Sequence, residues 1–373
     1  MAWKSVIGQD RVKSLLKRSF STGRVAHAYL FYGPEGVGKD ALAVEFAKLL
    51  NCERDGGEAC DECNSCRRVS SLRHPNIKFV FALPVGKSEK FGDAPLLRLS
   101  EEEVRLVQEQ VRLKAENPYH NISVPRATFI KINSIRDLKR EATLTAFQSG
   151  KKVFIISDAD SMNDEASNSL LKSLEEPTAS SVFILTTANR EKLLPTIVSR
   201  CQAIHFDLLR DEEIRAALVE RERRSDSEAS VIARLAHGSY SRSLELLSTE
   251  VRERRVEAVN FIRAALNLPP YELAEEVERI ASEYDRAGVE QFLSLILIWI
   301  RDALVLQQRG AEGILNIDDS DTLVKFSNYV RNADFGELMR RVERSLSLLG
   351  KNVYIRLVLM NLGLEMRRIV ASK

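Results

Sequence analysis

The chain has 373 residues, of which 44% are hydrophobic and 29% charged, and its formal net charge is +2. This composition is that of an ordinary globular protein of two or three domains, and the near-neutral charge indicates no overall basic field for nucleic acid. The first residues lack the apolar core of a signal peptide, and the most apolar stretch, residues 292–300, is too short to span a bilayer. We therefore expect a cytoplasmic protein without a membrane segment, in a reducing compartment.

The first stretch with clear chemical meaning is glycine-rich, GPEGVGKD at residues 33–40. An apolar and aromatic segment at 29–32 precedes it, typical of a buried strand, and an amphipathic helix pattern follows at 41–50. Strand, glycine turn, lysine and helix together predict a P-loop, whose backbone N–H groups and lysine bind phosphate. The predicted cofactor-binding residues of this loop are Gly33, Gly36, Gly38, Lys39 and Asp40.

The last position of the loop departs from the pattern. A P-loop that loads magnesium has Ser or Thr after the lysine, whereas this chain has Asp40, whose carboxylate repels a triphosphate. The sequence alone leaves three alternatives open: the loop binds a nucleotide, hydrolyses one, or only keeps the shape.

Four of the five cysteines crowd into one short stretch, which contains two overlapping C-x-x-C pairs. Four thiolates at this spacing suit a tetrahedral site without an open ligand position, so the sequence predicts structural zinc. An iron–sulfur cluster and disulfides are the alternatives, and a reducing compartment disfavours the disulfides. The predicted metal ligands are Cys52, Cys60, Cys63 and Cys66.

Residues 67–133 give the fewest signals. A strand is predicted within 74–83, a capping box at Ser100–Glu103 opens a helix, and residues 128–132 form a second extended piece. A further helix, with a basic side, is predicted to begin at Ser134. Its few charges favour a solvated face over a nucleic-acid surface.

Residues 153–156 are a fully apolar run, typical of a central strand in a parallel sheet. P-loop ATPases place an Asp for magnesium at the end of this strand, often followed by a Glu that activates water. Here Ser157 and Asp158 stand in those places, and a hydroxyl lacks the charge that magnesium prefers. A second apolar strand ends in small polar residues at 186–189, where phosphate sensing and simple strand-end capping are both open.

The alternation of strands and helices ends near Phe206, and the pattern is helical from Asp211 onward, with a break at two prolines. Two apolar stripes in the last part are predicted to be buried, Phe292, Leu295, Ile296 and Trp299, and then Tyr354, Leu357, Val358 and Leu362. The predicted domains are 1–207, an α/β domain with the cysteine insertion at 52–66, then a small helical domain, 208–265, and a larger one, 266–373.

The order of these motifs resembles one family, the AAA+ subunits of the bacterial DNA polymerase III clamp loader. The motifs that carry the resemblance are VIGQ at 6–9, the loop at 33–40, the cysteines within 52–66, SLLKSLEEP at 169–177, SRC at 199–201 and NVYIRL at 352–357. The resemblance implies an α/β P-loop fold of the AAA+ type, with a RecA-like parallel sheet and flanking helices. A small helical lid domain and an all-α collar domain would follow.

This family has two kinds of subunit. The motor subunit keeps Lys-Thr in the P-loop and an Asp-Glu pair after the catalytic strand, whereas the delta-prime type has lost both but keeps the arginine of Ser-Arg-Cys. Lys39-Asp40 and Ser157-Asp158 therefore resemble delta-prime. The alternative is an ATP-hydrolysing motor subunit or another AAA+ remodelling ATPase.

The resemblance implies a stator, a subunit that hydrolyses little or no ATP and completes the site of a neighbour. Arg200 would be an arginine finger on the ATP of that neighbour, with an intradomain salt bridge as its alternative role. Arg242 would be a phosphate-sensing arginine of the lid, and the P-loop could hold ATP or ADP without hydrolysis. The implied partners are motor subunits and a delta subunit in a pentameric ring, a sliding clamp, and primer–template DNA.

Overall fold

The computed structural model describes residues 3, 5–54, 57–143, 150–178, 180–248, 251–310, 314–316, 320–351 and 353–371. The chain forms two compact units. The first comprises Met1–Ile214 and Gly238–Arg242, and the second comprises Arg215–His237 and Ser243–Lys373. The predicted division into three domains stays a prediction.

The elements of the first unit alternate between helices and strands, as the sequence predicts. They are α1 (Asp10–Ser21), β1 (Ala28–Tyr32), α2 (Lys39–Leu50), α3 (Asn64–Ser70), β2 (Ile77–Val80), α4 (Glu101–Glu116), α5 (Ile132–Thr143), β3 (Lys152–Ile156), α6 (Asp164–Glu175), β4 (Ser181–Thr187), α7 (Pro195–Val198) and β5 (Gln202–His205).

The five strands form one parallel sheet in the order β2-β3-β4-β1-β5. Every residue of β3 and β4 is buried, because helices cover both faces of a parallel sheet. Strand β1 lies beside β4, with Ala28 opposite Phe183 and Tyr32 opposite Thr187. Because the strands are parallel, the P-loop after β1 and the polar residues after β3 and β4 meet at one edge of the sheet.

The insertion between β2 and α5 confirms some predictions and corrects others. The capping box of α4 is present, with Ser100 and Glu103 bonded reciprocally. The extended piece is shorter than predicted, because only Ile130 makes a β-bridge, with Met162. Helix α5 begins at Ile132 rather than at Ser134, and the Ser134 hydroxyl is buried without a hydrogen bond in the described part of the chain. It therefore does not serve as the predicted cap.

Beyond β5 the structure is helical, as predicted. The helices are α8 (Asp211–Glu222), α9 (Asp226–Leu235), α10 (Tyr240–Ser248), α11 (Val251–Asn267), α12 (Pro270–Glu283), α13 (Arg286–Arg309), α14 (Ser320–Tyr329), α15 (Phe335–Gly350) and α16 (Ile355–Ala371). The parallel sheet with flanking helices and this helical region confirm the predicted fold class. None of the helices that the structure describes is both long and apolar enough to cross a membrane.

The first apolar stripe of the last part is buried, whereas the second is buried only in part. Tyr354 is 64% and Leu357 is 66% exposed, so the prediction that they belong to the core is wrong. Tyr354 precedes α16, and Leu357 lies one position before the buried Val358, about 100° around the helix. Asn352, the first residue of the 352–357 motif, lies outside the described residues.

Candidate functional site

The P-loop has the backbone conformation that its glycines predict. Gly36 and Gly38 have φ angles of 71° and 97°, in the left-handed region where a side chain is strained. There is also no space for one, because a Cβ on Gly36 would lie 2.0 Å from the Ser239 hydroxyl and one on Gly38 would lie 2.7 Å from the Tyr119 hydroxyl. Because these glycines have no side chain, Ser239 and Tyr119 of the same unit can pack directly against the loop.

Lys39 is folded back onto the loop. Its Nζ donates to the carbonyl oxygens of Gly33 at 2.8 Å and Pro34 at 2.6 Å, and the residue is only 7% exposed. Burial lowers the pKa of Lys39, and the nearby carboxylates of Asp40 and Asp158 oppose that shift. The ammonium group of Lys39 therefore has hydrogen-bond acceptors within the loop itself.

Asp40 lies in a network made only of protein groups. Its Oδ2 is 2.8 Å from Lys114 Nζ and accepts a hydrogen bond from the Ser157 hydroxyl at 2.7 Å, while its Oδ1 accepts from the Thr186 hydroxyl at 2.7 Å. Burial alone would raise the pKa of this carboxyl, but the Lys114 charge and the three hydrogen bonds hold it below its usual range. Asp40 is therefore ionised and fully partnered.

These contacts decide whether the residues fit magnesium. The position after the P-loop lysine and the position after β3 are the two that load the metal in a working ATPase. Here Asp40 and Ser157 are bonded to each other, and an ammonium group already neutralises the carboxylate. The residues present do not fit a magnesium ion.

Asp158 differs from Asp40 because, among the described residues, it forms no ion pair with a lysine, and the charges of Lys39 and Lys114 act on it only from a distance. Burial and the charges of Asp40 and Asp160 raise its pKa to about 6. Its backbone is strained at φ 50°, and its N–H donates to the Thr186 hydroxyl at 3.3 Å. The carboxylate is therefore easily protonated and is not placed as a strong base.

The polar residues after β4 bond to protein carboxylates. Thr187 donates to Asp160 Oδ1 at 2.6 Å, and the Asn189 amide donates to Asp160 Oδ2 at 3.0 Å. These hydrogen bonds fit strand-end capping, and Asn189 also lines the cavity over the P-loop, so phosphate sensing stays a prediction.

Sequence reasoning missed two residues of the site, Lys114 and Tyr119, both from the insertion. Tyr119 is 3% exposed, and its hydroxyl accepts a hydrogen bond from the Ile7 N–H at 2.8 Å. Its carbonyl accepts from the Ser241 hydroxyl at 2.6 Å, and its ring meets Tyr240 edge-on at 4.9 Å. In the sequence, the only indication of these two residues was a capped helix before Asn117-Pro118. That pattern predicts a helix but does not show which part of the protein its end contacts.

A cavity of about 330 Å³ lies over the loop. Gly36, Gly38, Lys39 and Asp40 of the predicted set line it, and Lys114 and Tyr119 form another part of its wall. Arg242 is not among the lining residues, although its neighbour Ser241 is. The Arg242 backbone N–H donates to the Ser239 hydroxyl at 3.3 Å, so the segment that carries it does pack on the loop.

Arg200 lies just after α7, apart from the P-loop cavity. Its Nη2 is 2.9 Å from Glu175 Oε1, and its Nη1 donates to the Thr196 carbonyl at 2.9 Å. The intradomain salt bridge that was the alternative role for this arginine is therefore present. Both side chains are partly exposed, 35% and 46%, so the pair is weak.

The four cysteines of the predicted metal site converge. Their sulfur atoms all lie within 4.8 Å of one another, with 3.9 Å between Cys60 and Cys66. A tetrahedral zinc site with bonds of about 2.3 Å has sulfur atoms about 3.8 Å apart, so the geometry fits. The backbone N–H of Cys63 donates to the Cys60 sulfur, which helps lower the pKa of that thiol to about 6, and burial raises the pKa of Cys66. This donor set suits zinc, and Cys201 lies outside it.

A parallel sheet with a glycine-rich phosphate loop after a central strand, opening a helix, defines the class of P-loop proteins. Comparison with known proteins goes further. The family model described as "DNA polymerase III, delta subunit" matches residues 8–210, more than half of the chain, so the chain belongs to that family. The resemblance to clamp-loader subunits of the delta-prime type is confirmed.

Proteins of similar sequence have names that agree with this family. The chain is 34% identical to DNA polymerase III subunit delta′ of Bacillus subtilis over 60% of its own length and 55% of that protein. It is 37% identical to the delta′ subunit of Pseudomonas aeruginosa over 47% and 42%, and 29% identical to the tau subunit of Escherichia coli over 65% and 32%. The chain thus spans about half the length of the curated relatives it matches.

Among solved structures, a DNA polymerase III gamma subunit-related protein of Thermotoga maritima is similar at a TM-score of 0.40 and 15% identity. The match covers 97% of this chain and 100% of that one. A similarity this low supports no argument about function.

Proposed function

We propose that the chain is a clamp-loader subunit of the delta-prime type, a stator that does not itself hydrolyse ATP. The observation that carries this proposal is the network around Asp40. The two positions that would load magnesium, Asp40 and Ser157, are hydrogen-bonded to each other, and Asp40 is also paired with Lys114, so in the described part of the chain these positions are not available to the metal that hydrolysis needs. Asp158, whose pKa is raised to about 6, is a weak substitute for the glutamate base of an active ATPase.

The functional residue of a stator is the one that it gives to its neighbour. Phosphoryl transfer needs a cation near the developing charge, and the planar fork of Arg200 suits phosphate oxygens in two-point contact. Its present partner, Glu175, lies at the surface, so exchanging that carboxylate for a phosphate of a neighbouring subunit costs little. Hydrolysis in the neighbour then depends on assembly with this chain.

We also propose a structural zinc ion in the first unit. Cys52, Cys60, Cys63 and Cys66 would hold the ion, which supplies a crosslink that fixes the loop after α2 to α3 and no open position for chemistry. The role is structural.

The names of the relatives, which are DNA polymerase III subunits, support a role for this chain in DNA replication. The partners we propose are motor subunits and a delta subunit in a pentameric ring, a sliding clamp, and primer–template DNA, all in the cytoplasm. The alternative, an ATP-hydrolysing motor subunit, is disfavoured because Asp40 and Ser157 would both need a substitute. Gly36, Gly38 and Lys39 keep the phosphate-binding backbone, so ATP or ADP can be held without turnover.

The first test is ATP turnover by the purified chain with magnesium and primed DNA. We expect none above background, since no metal site is available. Appreciable turnover by the chain alone would reject the stator role in favour of the motor alternative.

The second test changes Arg200→Ala in the assembled clamp loader. Turnover at the site that borders this subunit should fall by about a thousandfold, because that site loses its in-trans cation. Arg190→Ala is the matched control, since Arg190 stacks on Tyr32 within the same unit. Full activity of the Arg200→Ala complex would show that this residue is not the finger.

A further inference from the structure

The insertion between β2 and α5 reaches the P-loop and supplies one member of the network around Asp40. Lys114, in the last turn of α4, is 4% exposed and ends at the Asp40 carboxylate. Its Nζ also donates to the His120 carbonyl at 2.9 Å. A buried ammonium group is thus held at the place where a working P-loop would carry its metal.

We propose that Lys114 is the resident cation of this P-loop and takes the place of the divalent metal ion. Any nucleotide that binds in this pocket would then bind without magnesium. The inference deepens the proposed function, because it explains how a chain with a P-loop is kept from loading the metal. It does not depend on Arg200.

The position of Lys114 among the charges around the cavity supports this assignment. Two lysines line the cavity, Lys39 and Lys114, together with four acidic residues, Glu35, Asp40, Asp158 and Asp160. Lys114 pairs directly with Asp40, the residue at the position after the P-loop lysine where metal loading takes place in a working P-loop. A divalent ion bound there would face the ammonium group at close range and would need that buried group to leave.

Lys114 cannot easily leave, because the chain just after it is fixed at several points. The Tyr119 hydroxyl accepts from Ile7 and lies against Gly38, and the Tyr119 carbonyl accepts from Ser241. These contacts hold the segment that follows α4 against the P-loop and against Ser241. The ammonium group is therefore a built-in part of the site.

The proposal is tested by the metal dependence of ATP binding, measured by titration calorimetry on the full chain. For the unmodified chain, buffers with and without magnesium should give the same ATP affinity. No chelator is added, because it would also remove the zinc ion that we propose for the four cysteines. An affinity that is tighter by about tenfold or more with magnesium would overturn the proposal.

Two matched variants test whether removing Lys114 creates magnesium-dependent ATP binding. Asp40→Thr with Ser157→Asp restores the usual metal-loading pair, and with Lys114 retained we expect binding to stay insensitive to magnesium, because the lysine pairs with the new carboxylate. Adding Lys114→Met should create magnesium-dependent ATP binding, tighter by about tenfold or more. Equal magnesium dependence in both variants, or none in the triple variant, would show that Lys114 does not take the place of the metal.

Folding is controlled separately. Lys114→Met alone leaves a buried carboxylate without its cation and should lower the unfolding temperature strongly, whereas Asp40→Asn with Lys114→Met removes both charges and should recover most of the loss. The outcomes also separate the two proposals. Magnesium-dependent binding without turnover rejects the resident cation and leaves the stator role, whereas turnover by the chain alone rejects the stator role.

Discussion

At residue 158, the environment sets a measurable pH dependence. The folded chain raises the pKa of the Asp158 carboxyl from 3.8 to about 6, so between these values the folded state holds more protons here than the unfolded state. The contribution of this residue to stability therefore falls as the pH rises from about 4 to about 6, and is constant above.

Asp158→Asn removes that titration. The variant should gain stability relative to the unmodified chain as the pH rises through this window. The gain should be smaller than the full pKa shift implies, because solvent reaches part of the residue even though its carboxyl is partly desolvated in the cavity. The measurement is the free energy of unfolding of both chains at several pH values between 4 and 7. A difference that does not change with pH would contradict the raised pKa.

Glu175 tests how firmly Arg200, the finger that we propose, is held in the isolated chain. Because its pair with Arg200 is partly exposed, Glu175→Gln should cost less than about 1 kcal/mol in the free energy of unfolding. In the assembled complex the same variant should keep ATP turnover, since it frees the guanidinium. Loss of turnover equal to that of Arg200→Ala would mean that the pair, and not the arginine alone, is the functional unit.

At the scale of elements, α4 depends on its first turn. The Ser100 hydroxyl accepts from the Glu103 N–H, and Glu103 bonds back to Ser100. Ser100→Ala should weaken the helix by about 1 kcal/mol, seen as faster hydrogen exchange of amides in α4. Glu102→Gln, on the same turn but outside the box, is the control. Equal exchange in both variants would show that the cap does not stabilise the helix.

The cysteine loop predicts a metal content. The chain should carry one zinc ion, and Cys63→Ser should lose it because the site needs all four thiolates. Cys201→Ser is the control and should keep the metal, since Cys201 lies outside the cluster. Metal analysis after purification without chelators decides the matter, and a zinc content near zero in the unmodified chain would reject the site.

Elements that rest on local patterns could be predicted from the sequence. The buried strands show as apolar runs and the P-loop as glycines between a strand and a helix, because both patterns are contiguous in the chain. Lys114 could not be assigned to Asp40, since the pairing depends on how a long insertion folds back. The exposed Tyr354 and Leu357 were predicted to be buried because an apolar stripe shows that a face exists, not what covers it.

At the scale of the whole molecule, the two units each contain one of the two tryptophans. Trp3 belongs to the first unit, which also holds the cysteine cluster, and Trp299 belongs to the second. Both are 3% exposed, so the fluorescence of each reports the unfolding of its own unit.

Removing zinc should therefore affect one tryptophan. In a Trp299→Phe variant, a chelator should lower the unfolding midpoint seen at Trp3, because the zinc ion that we propose would crosslink only the first unit. In a Trp3→Phe variant, the midpoint seen at Trp299 should not move. Equal shifts in both variants would show that the two units unfold as one.

The close packing of Gly36 and Gly38 bears on how such chains are classified. A Cβ at either position would collide with Ser239 or Tyr119 of the same chain, so this protein needs both glycines to fold, whether or not it ever meets a nucleotide. The residues of a P-loop motif can thus be retained in a chain that no longer performs the chemistry of that motif. The more informative question for a P-loop is which groups contact the residue after its lysine. Here one of those groups is the ammonium group of Lys114, which comes from a distant helix.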